Sequence, residues 1–84
     1  MTTENLSVYP NPVEDRLNIS FDLAKSDQVT IEILNALGQV IQTEKNNYEN
    51  GQKTVIMNTS SLAKGLFFVK LSSNGQNISR RFVK

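Results

Sequence analysis

The 84-residue sequence has no cysteine, no histidine and no tryptophan, and each absence removes a class of explanation. Without thiols there is neither a disulfide framework nor a thiolate zinc site, so side-chain packing alone must hold the fold. A thiol-free chain is also indifferent to redox conditions, and cysteine usage therefore fixes no compartment. Without imidazole or thiolate, Ser-His, Cys-His and His-zinc chemistries are excluded. Without tryptophan, an exposed aromatic platform for sugars would fall to Tyr9 and Tyr48. Long apolar runs are missing as well. No stretch reaches the ~20 apolar residues of a membrane helix, so no transmembrane segment is expected. The lead-in Met1 to Leu6 has neither a basic start nor an apolar run, so no secretory leader is read there. If the domain acts outside the cytoplasm, the expectation is a fragment of a larger precursor.

What remains is an ordinary soluble composition, 38% hydrophobic and 20% charged, at a length suited to one core. Net charge is +1 but unevenly spread: residues 1–49 carry all eight acids against three cations, and residues 50–84 carry six cations and no acid. A basic half can indicate an anionic partner. In an antiparallel sandwich, where early and late strands interleave, the halves can equally neutralise each other, and we favour that reading. The cations are spread out and lack interleaved aromatics, so no nucleic-acid partner is expected.

Polar and apolar residues alternate through Arg16 to Leu23, placing Leu17, Ile19, Phe21 and Leu23 on one face of a half-buried strand. Gln28 to Ile33 repeats the pattern with Val29, Ile31 and Ile33 inward, and the polar Lys25-Ser26-Asp27 between them suggests a hairpin. Asn35-Ala36-Leu37-Gly38 predicts a turn in which Gly38 takes the left-handed conformation, with the chain returning over Gln39 to Glu44. The polar stretch Lys45 to Gln52 reads as a loop, and Lys53 to Thr59 resumes alternation with Val55 and Met57. Ser60 to Gly65 is a turn whose Leu62 caps the core. Leu66 to Leu71, apolar at five of six positions, predicts a central strand covered on both faces. After a Ser73-Asn74-Gly75 turn, Gln76 to Lys84 is a last strand with Ile78, Arg80 and Phe82 on one parity. An inward-pointing arginine is a device of edge strands. With Leu6 to Tyr9 these make seven short strands, and the expected fold is an all-β, immunoglobulin-like, antiparallel β-sandwich.

Candidate chemistry is sparse. Glu14 and Asp15 are adjacent, so on a strand they would point to opposite faces and could not flank one glycosidic bond. Asp22, Asp27 and Glu32 match no calcium-loop spacing, and the four glycines are isolated turn residues, not a phosphate cradle. Four Asn-x-Ser/Thr triplets, at Asn5, Asn18, Asn58 and Asn77, are read as chance in an Asn/Ser-rich chain. No enzyme and no cofactor is expected. Tyr9-Pro10-Asn11-Pro12 is the unusual segment. Each proline biases its predecessor to extended geometry and withdraws an N–H, which suits a rigid, extended exit from the first strand, either a domain boundary or a plain edge-strand stop.

Taken together, these features resemble the type A C-terminal sorting domain of the Bacteroidetes type IX (Por) secretion system. Tyr9, Pro10, Asn11 and Pro12 with the strand to Leu23 resemble its opening motif. Asn35 to Val40 with Gly38 resembles its central hairpin, and Asn58 to Val69 with Leu62, Gly65 and Phe67 its Leu-x-x-Gly-x-aromatic stretch. Arg80, Arg81, Phe82, Val83 and Lys84 resemble its basic, apolar, lysine-ended terminus. The family often has tyrosine where Phe67 stands and an aliphatic residue where Phe82 stands. The resemblance implies a secretion signal over residues 6–84, with 1–5 a linker remnant, fused behind a cargo domain. The implied partners are the type IX translocon and its shuttle proteins. A sortase-like cysteine peptidase is also implied, which removes the domain before Leu6 and joins cargo to lipopolysaccharide. The implied location is periplasm in transit, then the outer-membrane surface or beyond. Residues Arg80 to Lys84 are the expected recognition element, by strand addition to an exposed basic edge. From another class, the alternative is a carbohydrate-binding or adhesion module, against which the lack of surface aromatics counts.

Overall fold

Alternation with period two leaves each strand one apolar face, and two such faces exclude water only when pressed together. A computed structural model describes residues 6–73 and 75–84; the expected linker remnant, residues 1–5, and Asn74 lie outside the described residues. Seven strands follow in order: β1 Ser7–Tyr9, β2 Arg16–Leu23, β3 Asp27–Asn35, β4 Val40–Tyr48, β5 Gly51–Asn58, β6 Leu66–Ser73 and β7 Gln76–Val83. All pair antiparallel, in a three-stranded sheet of order β1-β2-β5 and a four-stranded sheet of order β4-β3-β6-β7.

The expected inner faces are the core. Leu17, Ile19, Phe21 and Leu23 of β2 meet Val29, Ile31 and Ile33 of β3 and Val69, Leu71 and Phe82 of β6 and β7, all buried. Each such side chain withdrawn from water contributes about 1.5–3 kcal/mol before conformational entropy is set against it. Phe67 and Phe82, directly opposite on β6 and β7, stack with centroids 5.5 Å apart, and Tyr48 meets Phe21 edge-on at 5.7 Å.

Four expectations are corrected. Strands β2 and β3 do not form a hairpin, because the chain between them crosses from one sheet to the other and β2 pairs instead with β1 and β5. A short polar connection between two alternating runs suits a sheet-crossing as well as a hairpin, and only the later strands decide. The stretch from Lys45 to Gln52 is not a loop: β4 runs on to Tyr48 and β5 starts at Gly51. Its polar composition follows from position, since β4 is an edge strand whose outward face meets water. Strand β6 is central in hydrogen bonding, yet it is buried on one face only. Phe67, Val69 and Leu71 are covered, while Leu66 is exposed and Phe68 half-buried. Finally, Tyr9-Pro10 and Asn11-Pro12 are both cis, and residues 10–12 bend rather than leave β1 as a straight extended exit.

The β3–β4 turn behaves as expected. The Asn35 side-chain oxygen accepts from the Leu37 and Gln39 amides, each at 3.0 Å, and Gly38 sits at φ 85°, which glycine adopts without penalty. Strand β7 is the outer strand of its sheet, as its inward-parity Arg80 suggested. Glu32 on β3 lies directly opposite Lys70 on β6, so early acids and late cations do meet across strands.

Candidate functional site

The registers place four separated segments at one end of the sandwich. Strand β2 begins there at Arg16, opposite Asn58 at the end of β5. Strand β3 ends there at Asn35, opposite Phe67 near the start of β6, and Leu66 faces Val83 at the end of β7. The bend after Tyr9, the 36–39 turn, the 59–65 turn and the chain end therefore share this pole.

Hydrogen bonds tie the segments together. Lys84 exchanges backbone bonds with Gly65 in both directions, at 2.9 and 3.1 Å, extending the β6–β7 ladder by one pair. Its ammonium turns across to the 59–62 turn and donates to the carbonyls of Thr59, Ser60 and Leu62 at 2.6, 3.2 and 2.8 Å. An ammonium offers three donors, and all three find an acceptor. Val83 is held from the other side: its N–H donates to the Asn11 side-chain oxygen at 3.0 Å and its carbonyl accepts from the Val13 N–H at 2.8 Å. Thr59, fully buried, is the hub. Its N–H donates to the Asp15 carbonyl and its hydroxyl to the Glu14 carbonyl, while its own carbonyl receives Leu62 N–H and the Lys84 ammonium. Between these segments lies an open cleft of about 510 Å³ lined by residues 12–15, Lys64, Val83 and Lys84.

The terminal strand is consequently not a fully open edge. In an antiparallel ladder, alternate residues turn both backbone groups away from the partner strand. With Lys84 bonded to Gly65, the outward residues of β7 are Val83, Arg81, Ser79 and Asn77. Val83 is already engaged by residues 11–13, and the Arg80 guanidinium donates to the Ser79 carbonyl at 3.0 Å. Arg80 blunts the edge on which it stands.

The chemical inventory is that of a surface, not a reaction centre. Among the described residues no group of three or more carboxylates could hold a metal ion. Asp27, at the opposite pole, accepts from the Ser73 hydroxyl and the Gln28 N–H, and these bonds hold its carboxyl below the usual value of 3.8. Glu14 and Asp15 are exposed, with their backbone carbonyls engaged by Thr59. Tyr48 is half-buried against Phe21, so of the two candidate sugar platforms only Tyr9 keeps an exposed ring, and its hydroxyl is occupied by Ser20 at 3.1 Å.

Comparison with known families decides the identity, because the profile of the secretion system C-terminal sorting domain matches residues 7–84. The chain belongs to that family. No curated protein matches it. The sorting domain is a non-catalytic signal module of the type IX secretion system that directs the secretion of cargo, and its association with secretion machinery and with secreted or cell-surface cargo follows.

Against that identity, the residues singled out from sequence divide into two groups. Phe82 and Phe67 are core, Leu62 packs partly buried against it, and Lys84 is spent on the carbonyls of the turn. Gly65 adopts φ 152°, open to glycine alone among residues that could stand there. These positions give the pole of the sorting domain its shape. Arg81, Val83, Tyr9, Pro10, Asn11, Pro12 and Gly38 are exposed and are its accessible part, with Arg80 half-buried between the groups. Two residues that matter were missed: Thr59, which reads as the polar last residue of a strand, and Val13, buried at 2% and anchored to Val83. The alternation over Lys53 to Thr59 puts Thr59 on the parity of Val55 and Met57, so its inward position was open to the same pattern.

Proposed function

We propose that the sorting domain is read as a folded body, at the pole where its four segments meet, by the outer-membrane translocation machine and its shuttle proteins. In this reading a sortase-like cysteine peptidase then cuts ahead of Leu6, and the cargo passes to the cell surface for attachment to lipopolysaccharide or for release. The observation that carries the reading is the convergence itself. Segments up to 72 residues apart in sequence are joined by backbone and side-chain hydrogen bonds, such as Asn11 to Val83, so the surface exists only when the domain is folded. Within it, Phe82 and Lys84 act by holding the pole in shape, and Arg80, Arg81 and Val83 present themselves to the partner. The path of the chain supports this division. Ser7 pairs with Ser20, so β1 runs from the opposite end toward the pole, and a cargo fused ahead of Leu6 approaches from the side away from it.

The test is export of an inert reporter carrying residues 1–84, in strains with and without a working type IX system. The reporter should reach the surface or medium only in the first strain and accumulate in the periplasm of the second. Normal export after removal of Val83 and Lys84 would defeat the assignment of the pole.

A further inference from the structure

The outward face of the four-stranded sheet carries an apolar row whose members fall mostly within the motif segments but which no single motif places side by side. Opposite registers place Val40, Leu34, Phe68 and Arg81 side by side across β4, β3, β6 and β7, with Leu66 and Val83 forming a second row at the pole. These positions alternate with the buried Ile33, Phe67 and Phe82, so they face outward. Val40 is 48% exposed and Leu37, at the tip of the adjoining turn, 85%. The β-bulge between Ile33 and Leu34 leaves Ile41 as an extra exposed residue beside them. At strand spacings of about 4.8 Å the row runs some 15 Å across the whole sheet, and clustered apolar side chains of this kind mark interaction surfaces where scattered ones do not.

We infer that this row is a docking surface for a protein partner that presents an apolar patch with a carboxylate beside it, placed to meet Arg81. The inference rests on the sorting-domain reading and specifies which face of the domain the machinery grips. Charge complementarity selects the occupant. Every neighbour of Arg81 on this face is neutral or cationic: Phe68 opposite, Leu66 and Lys70 on the diagonals, Ser79 and Val83 along the strand. Strands β6 and β7 contain no acid at all. Lys70, by contrast, already faces Glu32. A partner carboxylate against Arg81 answers a charge that no acid directly beside it on this face meets, in a bidentate geometry that arginine favours. Docking by side chains also suits an edge whose terminal backbone groups are occupied by residues 11–13.

The experiment compares the full domain, fused to a reporter, with Leu37→Ser/Val40→Thr, Arg81→Glu and, as a control on the other sheet with an exposure between those of Val40 and Leu37, Ile56→Ser. Urea midpoints are measured on each purified domain so that loss of folding is not mistaken for loss of docking. The expected result is a fall in export of at least tenfold for Leu37→Ser/Val40→Thr and for Arg81→Glu at unchanged midpoints, with Ile56→Ser exporting as the parent does. Parent-like export of the double variant, or an equal loss with Ile56→Ser, overturns the surface while leaving the sorting reading intact. Retention of the unaltered fusion in both strains overturns both. Two further outcomes also overturn it: co-sedimentation with phosphatidylglycerol vesicles that the double variant abolishes, which assigns the row to lipid, and a dimer that the same variant dissociates, which assigns it to self-association.

Discussion

Replacing Lys84 by methionine keeps most of the side-chain stem and removes the three N–H donors that hold the 59–62 turn. A hydrogen bond from a charged donor contributes about 1.5–3 kcal/mol net, but the three share one ammonium and do not add. Ordering the long lysine side chain costs up to about 2 kcal/mol, which methionine, of similar length, also partly pays. After the change the Ser60 carbonyl, on an exposed residue, can turn to water, and the Thr59 carbonyl keeps the Leu62 N–H at 3.1 Å but lies on a fully buried residue. The expected loss is therefore about 2 kcal/mol, the worth of about one charged bond. In a urea titration followed by circular dichroism, a domain of this size with a slope near 1 kcal/mol per molar should show its midpoint fall by roughly 2 M with the slope unchanged. Lys84→Arg should recover only part of this, since a planar guanidinium cannot aim three N–H groups into one turn as an ammonium can. A Lys84→Met midpoint within about 0.3 M of the parent would show that the carbonyl cradle is incidental and that the pole is held by packing alone.

Three further outcomes follow from named contacts. Thr59→Val keeps the shape but loses the hydroxyl bond to Glu14, and should cost about 1–2 kcal/mol in the same titration. Gly38→Ala must adopt φ 85° with a Cβ, so about 1–2 kcal/mol should be lost even though the space around it is open. Asp27 has a folded pKa lowered from 3.8, so its contribution is present above that value and is lost as pH falls through the lower folded value. Thermal melts from pH 6 down to pH 2 should show this acid loss shrink in Asp27→Asn, which has no proton to gain, and also in Ser73→Ala, which removes the largest cause of the shift.

Much of the core was legible because alternation assigns a face residue by residue. Leu17 through Leu23 and Val29 through Ile33 are buried in the pattern that their spacing requires. Pairing was not legible at the β2–β3 junction, where three polar residues serve a sheet-crossing as well as a hairpin. The β4 edge misled for a related reason. Residues 45–47 are polar because they face water on the outer strand, and polarity without context looks like a loop. At the pole the limits were different. Lys84 resembled any terminal surface cation, and its role depends on where a turn 22–25 residues earlier places three carbonyls. Asn11 looked like a spacer between prolines, and its partner Val83 is 72 residues away. Long-range polar contacts of this kind leave no periodic trace, so only coordinates reveal them.

The distribution of roles at the pole bears on why a secretion signal should be a folded domain at all. A linear signal would survive truncation of distant segments and would be readable on an unfolded chain. Here the residue that ends the sequence fixes the 59–62 turn, that turn fixes residues 14 and 15, and residues 11–13 clasp the strand that carries Arg81. Loss of any one segment removes contacts from the others. Recognition of the assembled pole would therefore test, in a single binding step, that each of these segments is present and that the domain has folded. For machinery that reads a folded domain, the carbonyl cradle around Lys84 does what a linear tag could not. It makes the far end of the chain a condition for the shape of the near one.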